Sequence, residues 1–131
     1  MIKVLLIEDE PLMAEMYFDK LSIADFAVEQ ANTAEAALEI IKKEKMDLVL
    51  LDMLLPIENG IFFLENLRAM KTEIAKVPVI VLSNYDEPDT RKKATELGIE
   101  AYLLKTDFTP QTLVKRIKRI CFDVGKCAVD N

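Results

Sequence analysis

Five short apolar runs, each stopping on a polar residue and each followed by residues at helical spacing, restrict this chain more than any other feature. The clearest lies within Asp47–Gly60, DLVLLDMLLPIENG, where the apolar residues Leu48 to Leu51 end abruptly on Asp52, and Pro56 and Gly60 interrupt the segment beyond. A run this short, bounded by turn residues, reads as a strand buried on both faces. A carboxylate at its carboxyl end occupies the place where open α/β sheets bind ligands, in the crevice beyond the strand tips.

The same pattern recurs along the chain. Lys3–Glu8 (KVLLIE) reads as the first strand and stops at Glu8-Asp9-Glu10; Pro11 then suits a first helical turn. Leu12, Met16, Leu21 and Ala24 mark a helix over Pro11–Asp25, with the Met residues as core filler, and Phe26–Ala31 is a weaker strand near a sheet edge. Asn32 with Glu35 matches a capping box for the second helix. Glu58-Asn59-Gly60 leads into a third helix buried through Phe62, Phe63, Leu67 and Met70. Val77–Leu82 is the fourth strand, ending on Ser83-Asn84. Asp89 or Thr90 caps a helix that runs to Leu97 and stops at Gly98. Ala101–Leu104 is the fifth strand, ending on Lys105, and Thr109-Pro110 opens a last helix with Leu113, Ile117, Ile120 and Cys121 inward. Residues 124–131 lack periodicity and read as a frayed tail after one unit over residues 1–123. Uninterrupted strand–helix alternation implies an α/β fold: a five-stranded parallel sheet with right-handed crossovers and helices on both faces.

Composition narrows the chemistry. The 131 residues, 51% hydrophobic and 31% charged, suffice for a core without a structural metal, and no apolar run approaches the ~20 residues a membrane span needs. A net charge of −6 argues against this unit holding a nucleic-acid backbone. There is no His, which removes the commonest general base, the commonest zinc ligand and any Ser-His or Cys-His pair. The two cysteines, Cys121 and Cys127, read as free thiols, and no secretory signal pattern opens the chain, so a cytoplasmic location is expected.

Every informative polar residue falls at the same end of its strand: Glu8 and Asp9, Asp52, Ser83 and Lys105. Taken singly, Lys105 is a surface lysine, Ser83 a turn residue, and the acidic pair a favourable start to a helix. In a parallel sheet these ends share one rim, and together the residues can surround one crevice. Three adjacent carboxylates stay ionised only beside strong positive charge, and hard oxygen ligands without His or Cys favour Mg2+, or Mn2+ in its place. Asp52 can then act as a nucleophile on phosphorus, with Lys105 neutralising the phosphoryl oxygens and the Ser83 hydroxyl donating to one of them.

On VLLIEDE, LVLLDMLLPIENG, VPVIVLSN and AYLLK, in that order and spacing, the chain resembles the receiver domain of two-component response regulators from Lys3 to about Phe122. That resemblance implies a flavodoxin-like fold with strand order 2-1-3-4-5. It implies that Asp52 accepts phosphate from a phosphohistidine on a sensor histidine kinase or histidine phosphotransfer protein. The implied metal ligands are Glu8, Asp9, Asp52 and the backbone carbonyl of Leu54. Ser83 becomes the switch hydroxyl, Lys105 the phosphoryl-binding lysine and Tyr102 the aromatic that turns on activation. Helix four, strand five and helix five become the surface for an output protein or a homodimer, with Lys115, Arg116, Lys118 and Arg119 a basic cluster on helix five.

Two positions depart from the family pattern. Thr106 stands where proline usually follows the lysine, so a trans bond is expected there, and Asn84 follows the switch hydroxyl where a small residue is common. Leu54 and Tyr85, two residues beyond Asp52 and Ser83, flank the path of the hydrolytic water in such domains, and their apolar bulk predicts slow loss of phosphate. With no output segment after the pattern, output through another protein, or a longer parent chain, is expected. The domain is then a switch rather than a metabolic enzyme. The alternatives are a degenerate receiver serving as an interaction module, a haloacid-dehalogenase-type phosphohydrolase, and a flavin-binding domain. The hydrolase would want a DxD nucleophile after strand one, and the flavin site a Ser/Thr/Gly-rich loop there.

Overall fold

A computed structural model describes residues 1–55 and 59–127. Pro56, Ile57 and Glu58, and residues 128–131 of the expected tail, lie outside the described residues. The sheet comprises β1 (Ile2–Ile7), β2 (Phe26–Ala31), β3 (Leu48–Asp52), β4 (Val79–Ser83) and β5 (Ala101–Leu104), interleaved with α1 (Pro11–Ile23), α2 (Ala34–Lys43), α3 (Gly60–Arg68), α4 (Pro88–Glu96) and α5 (Pro110–Asp123). All pairings are parallel, in the order β2-β1-β3-β4-β5, the flavodoxin-like arrangement. Short 3-10 turns at Glu73–Lys76 and Lys105–Asp107 were not legible as elements in the sequence.

Strand alternation divides the core. Leu5, Ile7, Val49, Leu51, Val79 and Val81 face α2 and α3, while Val4, Leu6, Leu48, Leu50, Ile80 and Leu82 face α1 and α5. The central strands β3 and β4 are buried along their whole length, so both faces need apolar residues and the sequence shows runs instead of alternation.

Several local expectations shift. The cap of α2 is Thr33, whose hydroxyl accepts from the Ala36 N–H at 3.0 Å, not Asn32. The N-cap of α4 is Glu87, because Pro88 takes the first helical position and needs no hydrogen-bonded N–H there. Strand four starts at Val79 and includes Ser83, whereas the apolar run had suggested Val77–Leu82. In α1 the buried side chains are Ala14, Tyr17 and Leu21, and Leu12 is 74% exposed. A stripe drawn from aliphatic residues alone leaves out Tyr17, whose ring is the largest surface this helix buries.

The free thiols expected at Cys121 and Cys127 are a disulfide. Gly125, at φ +79°, reverses the chain just past α5: its N–H donates to the Phe122 carbonyl and the Lys126 N–H to the Cys121 carbonyl, each at 3.0 Å. This paired closure needs a left-handed residue and carries Cys127 back over Cys121. Periodicity along α5 could not reveal the return.

Candidate phosphoacceptor site

The register of the sheet brings the strand tips to one rim. Asp52 pairs across with Leu82, and Ser83 with Leu104, so Asp52 and Ser83 end adjacent strands and Lys105 directly follows the next; β1, on the other side of β3, ends just before Glu8. Glu8, Asp52 and Ser83 are buried, whereas Asp9 is exposed. One carboxylate oxygen each from Glu8, Asp9 and Asp52 lies within 4.8 Å of the others. The donor set is hard oxygen alone, which suits an octahedral dication and not zinc.

Lys105 is the cation of this cluster. Its Nζ donates to Glu8 Oε1 at 2.8 Å and to Asp52 Oδ2 at 3.5 Å, with its side chain 8% exposed. One ammonium does not balance three carboxylates, and the two buried ones respond in opposite directions. Burial, reinforced by a hydrogen bond with Glu8, pushes the Asp52 carboxyl up to about 7 against the opposing pull of Lys105. Burial also works to raise Glu8, but hydrogen bonds with Asp52 and Lys105 and the Lys105 charge outweigh it and hold Glu8 below the usual glutamate range. Burial would lower Lys105, yet Glu8 and Asp52 together raise it.

Two backbone N–H groups anchor Asp52 and Met53. The Leu54 N–H donates to Asp52 Oδ1 at 3.0 Å, and the Gly60 N–H to the Met53 carbonyl at 3.0 Å. A Cβ on Gly60 would lie 2.6 Å from Met53 Sδ and 3.0 Å from Met53 Cα, so glycine is what lets α3 start against this loop.

The Ser83 hydroxyl is engaged by its own turn. It donates to the Tyr85 carbonyl at 2.8 Å and accepts from the Tyr85 N–H at 3.2 Å. The Tyr102 hydroxyl donates to the same Tyr85 carbonyl at 3.3 Å, and the Arg91 guanidinium lies 5.3 Å from the Tyr102 ring centre. Leu54, Tyr85, Ser83 and Tyr102 line one cavity of about 140 Å3. The Lys105–Thr106 bond is trans; among the described residues there is no cis bond.

Two contacts were not legible in the sequence, one beside the cluster and one at the opposite end of the sheet. Tyr17 places its ring 6.0 Å from Lys105 Nζ, and burial raises its phenol. Arg68 donates to the carbonyls of Leu97, Ala75 and Val77, pinning the end of α4 to the approach to β4. A basic residue in the last turn of α3 was the one available signal, and it resembles ordinary helix-end chemistry.

Residues 4–118 match the family model described as the response regulator receiver domain. The phosphate regulon transcriptional regulatory protein PhoB of Escherichia coli is 30% identical over 98% of this chain, which covers 55% of that protein. The transcriptional regulatory protein MalR of Bacillus subtilis is 38% identical over 80% of this chain, covering 44% of that protein. The chain thus spans about half the length of the curated relatives it matches. Among solved structures, the chemotaxis response regulator CheY4 of Vibrio cholerae superposes with a TM-score of 0.82 at 28% identity, covering 92% of this chain and 98% of that one. A strand-tip carboxylate cluster with its lysine, on a sheet of this order, agrees with the match along the sequence: the chain belongs to the response regulator receiver domains of two-component systems.

Proposed function

We propose that this domain accepts a phosphoryl group on Asp52 and thereby changes the surface formed by α4, β5 and α5. The observation that carries the proposal is the buried Asp52 carboxylate, with Glu8 and Asp9 oxygens within 4.8 Å and Lys105 Nζ at 3.5 Å. Glu8, Asp9 and Asp52, with the Leu54 backbone carbonyl, would hold Mg2+ or Mn2+, which when bound supplies positive charge for the phosphoryl oxygens. An Asp52 carboxylate oxygen forms the new bond to phosphorus as the phosphorus–nitrogen bond of a donor phosphohistidine breaks, and the departing imidazole takes up a proton. These 131 residues contain no His, so the donor phosphohistidine lies outside them, on a histidine kinase or a phosphotransfer protein. Lys105 exchanges Glu8 for a phosphoryl oxygen. The domain acts as a switch that modifies itself, in a cytoplasmic setting, with residues 1–123 as the receiver unit.

The switch rests on one shared acceptor. Ser83 and Tyr102 both donate to the Tyr85 carbonyl. When Ser83 turns to a phosphoryl oxygen, the β4–α4 turn loses the hydroxyl that closes it. Tyr102 is then free to leave Tyr85 and repack inward, shifting the population of the α4-β5-α5 surface offered to an output protein or a second copy.

Intact mass after incubation with acetyl phosphate and Mg2+ tests the chemistry. An adduct on the wild type and none on Asp52→Ala is expected; no adduct on either would leave an interaction module. Leu54 and Tyr85, 56% and 62% exposed beside the site, crowd the approach of water. Leu54→Asn or Tyr85→Glu should shorten the lifetime of the phosphorylated form, and unchanged decay in both would overturn their role.

A further inference from the structure

At the opposite end of the sheet, α2, the 3-10 turn at Glu73–Lys76 and the chain past α5 enclose a cavity of about 440 Å3, within the size range of small-molecule sites. Its apolar lining comes from Ile41, Met46, Ile74 and Val77. Its polar lining comprises five lysines against two glutamates, in a chain whose net charge is −6. Some of that charge has local causes. Lys42 and Lys43 fall in the last turn of α2, where cations complement the helix dipole, and Lys42 also pairs with Glu39 at 3.7 Å. Lys76 pairs with Glu73 at 3.7 Å, and Glu44 with Lys3 at 3.5 Å, so both glutamates are engaged.

Lys45 and Lys126 have no such cause. Neither belongs to a helix, and among the described residues neither has an ion-pair or side-chain hydrogen-bond partner. They are 81 positions apart in sequence yet line one cavity, because the Gly125 reversal and the Cys121–Cys127 bond bring Lys126 beneath the sheet. Like charges gathered around an apolar floor repel one another unless an anion sits among them. We propose that this cavity binds a small organic anion: an apolar or aromatic body on the Ile41, Met46, Ile74 and Val77 floor, with a carboxylate, sulfonate or phosphate between Lys43, Lys45 and Lys126. The site stands apart from Asp52 and does not rest on its phosphorylation.

The test titrates the full chain, disulfide intact, with 1-anilinonaphthalene-8-sulfonate, following amide shifts by NMR. The uncharged N-phenyl-1-naphthylamine and inorganic phosphate serve as separate probes. The sulfonate is expected to move amides of residues 42–46, 73–77 and 126. It should bind at least fivefold more tightly than either the neutral dye or phosphate, and weaken at least fivefold in Lys45→Gln/Lys126→Gln. Shifts centred elsewhere, equal binding of the neutral dye, or full affinity in the double variant would overturn the proposal. Wild-type-like amide spectra of the free double variant establish that its fold is intact, and Lys45→Arg/Lys126→Arg should retain binding where the glutamine pair loses it.

Discussion

The two ends of the sheet carry the same residue types on very different terms. At the carboxyl end Lys105 is 8% exposed at its side chain and held by Glu8 and Asp52, themselves 3% and 10% exposed. At the amino end the paired lysines Lys42 and Lys76 are 56% and 78% exposed, and their partners sit one helical turn away. Local pairs of the second kind contribute a few tenths of a kcal/mol. Pairs of the first kind join residues 97 and 53 positions apart, and losing one member strands a charge where water cannot replace it. A charged residue therefore reports on function through its burial and the origin of its partners, not through its type. Substitutions at each end should differ in size and in pH dependence.

The largest effect is expected for Lys105→Met. It leaves Glu8 and Asp52 buried without their cation, at a cost on the order of 4 kcal/mol at pH 8. Urea unfolding should show a lower midpoint with an unchanged slope. A loss under about 1 kcal/mol would mean that the carboxylates already hold a cation from solution and that the contrast between the ends is weaker than the distances suggest.

Next comes Asp52→Asn, with the opposite sign. The Asp52 carboxyl, moved from 3.8 to about 7, binds its proton more tightly folded than unfolded. The stability tied to that proton is complete below about 4 and is lost as pH rises through about 7. An asparagine side chain at this position would keep an acceptor for the Leu54 N–H without the charge. The variant should therefore be more stable than wild type by on the order of 3 kcal/mol at pH 8, and the gain should shrink toward pH 5. Millimolar Mg2+ should narrow the gap at pH 8 by stabilising only the wild type. A gain that does not vary with pH would place its cause in packing.

These two residues also mark how far the sequence could be read. The strand tips and the cluster they form were legible because an apolar run that stops on a carboxylate is a one-dimensional signal; β2 and β5 fall on the residues that pattern indicates. Lys105 choosing Glu8 at 2.8 Å over Asp52 at 3.5 Å was not legible, since that choice is made by side chains across three strands. The Ser83 hydroxyl engaged with Tyr85, the Gly60 contact with Met53 and the reach of Arg68 are likewise three-dimensional. The disulfide leaves no such signal, because the periodicity of α5 stops before the reversal on which the pairing depends.

The amino end offers a smaller, pH-independent effect through that disulfide. Cys121 and Cys127 are six residues apart, so closing the loop restricts the unfolded chain modestly, by about 2 kcal/mol in the chain-entropy account. Cys127→Ser should lower the urea midpoint accordingly, and treating the wild type with a dithiol reductant should give the same midpoint as the variant. If the reductant changes nothing while the variant is destabilised, the two thiols are unpaired in solution and the serine acts through packing.

Lys45→Gln should have the smallest effect of all, and it tests the comparison most directly against Lys105→Met. Lys45 is exposed, belongs to no helix, and has no carboxylate partner among the described residues, so its removal strands nothing. It also relieves repulsion from the lysines that share its cavity. The stability change should stay within about 0.5 kcal/mol and, if resolved, favour the variant, more so at low ionic strength. A loss comparable to that at Lys105 would require an attractive partner for Lys45 in the folded protein. The amino end would then be a second over-paired cluster, and the distinction between buried charge held by distant partners and exposed charge held by none would fail where it is widest.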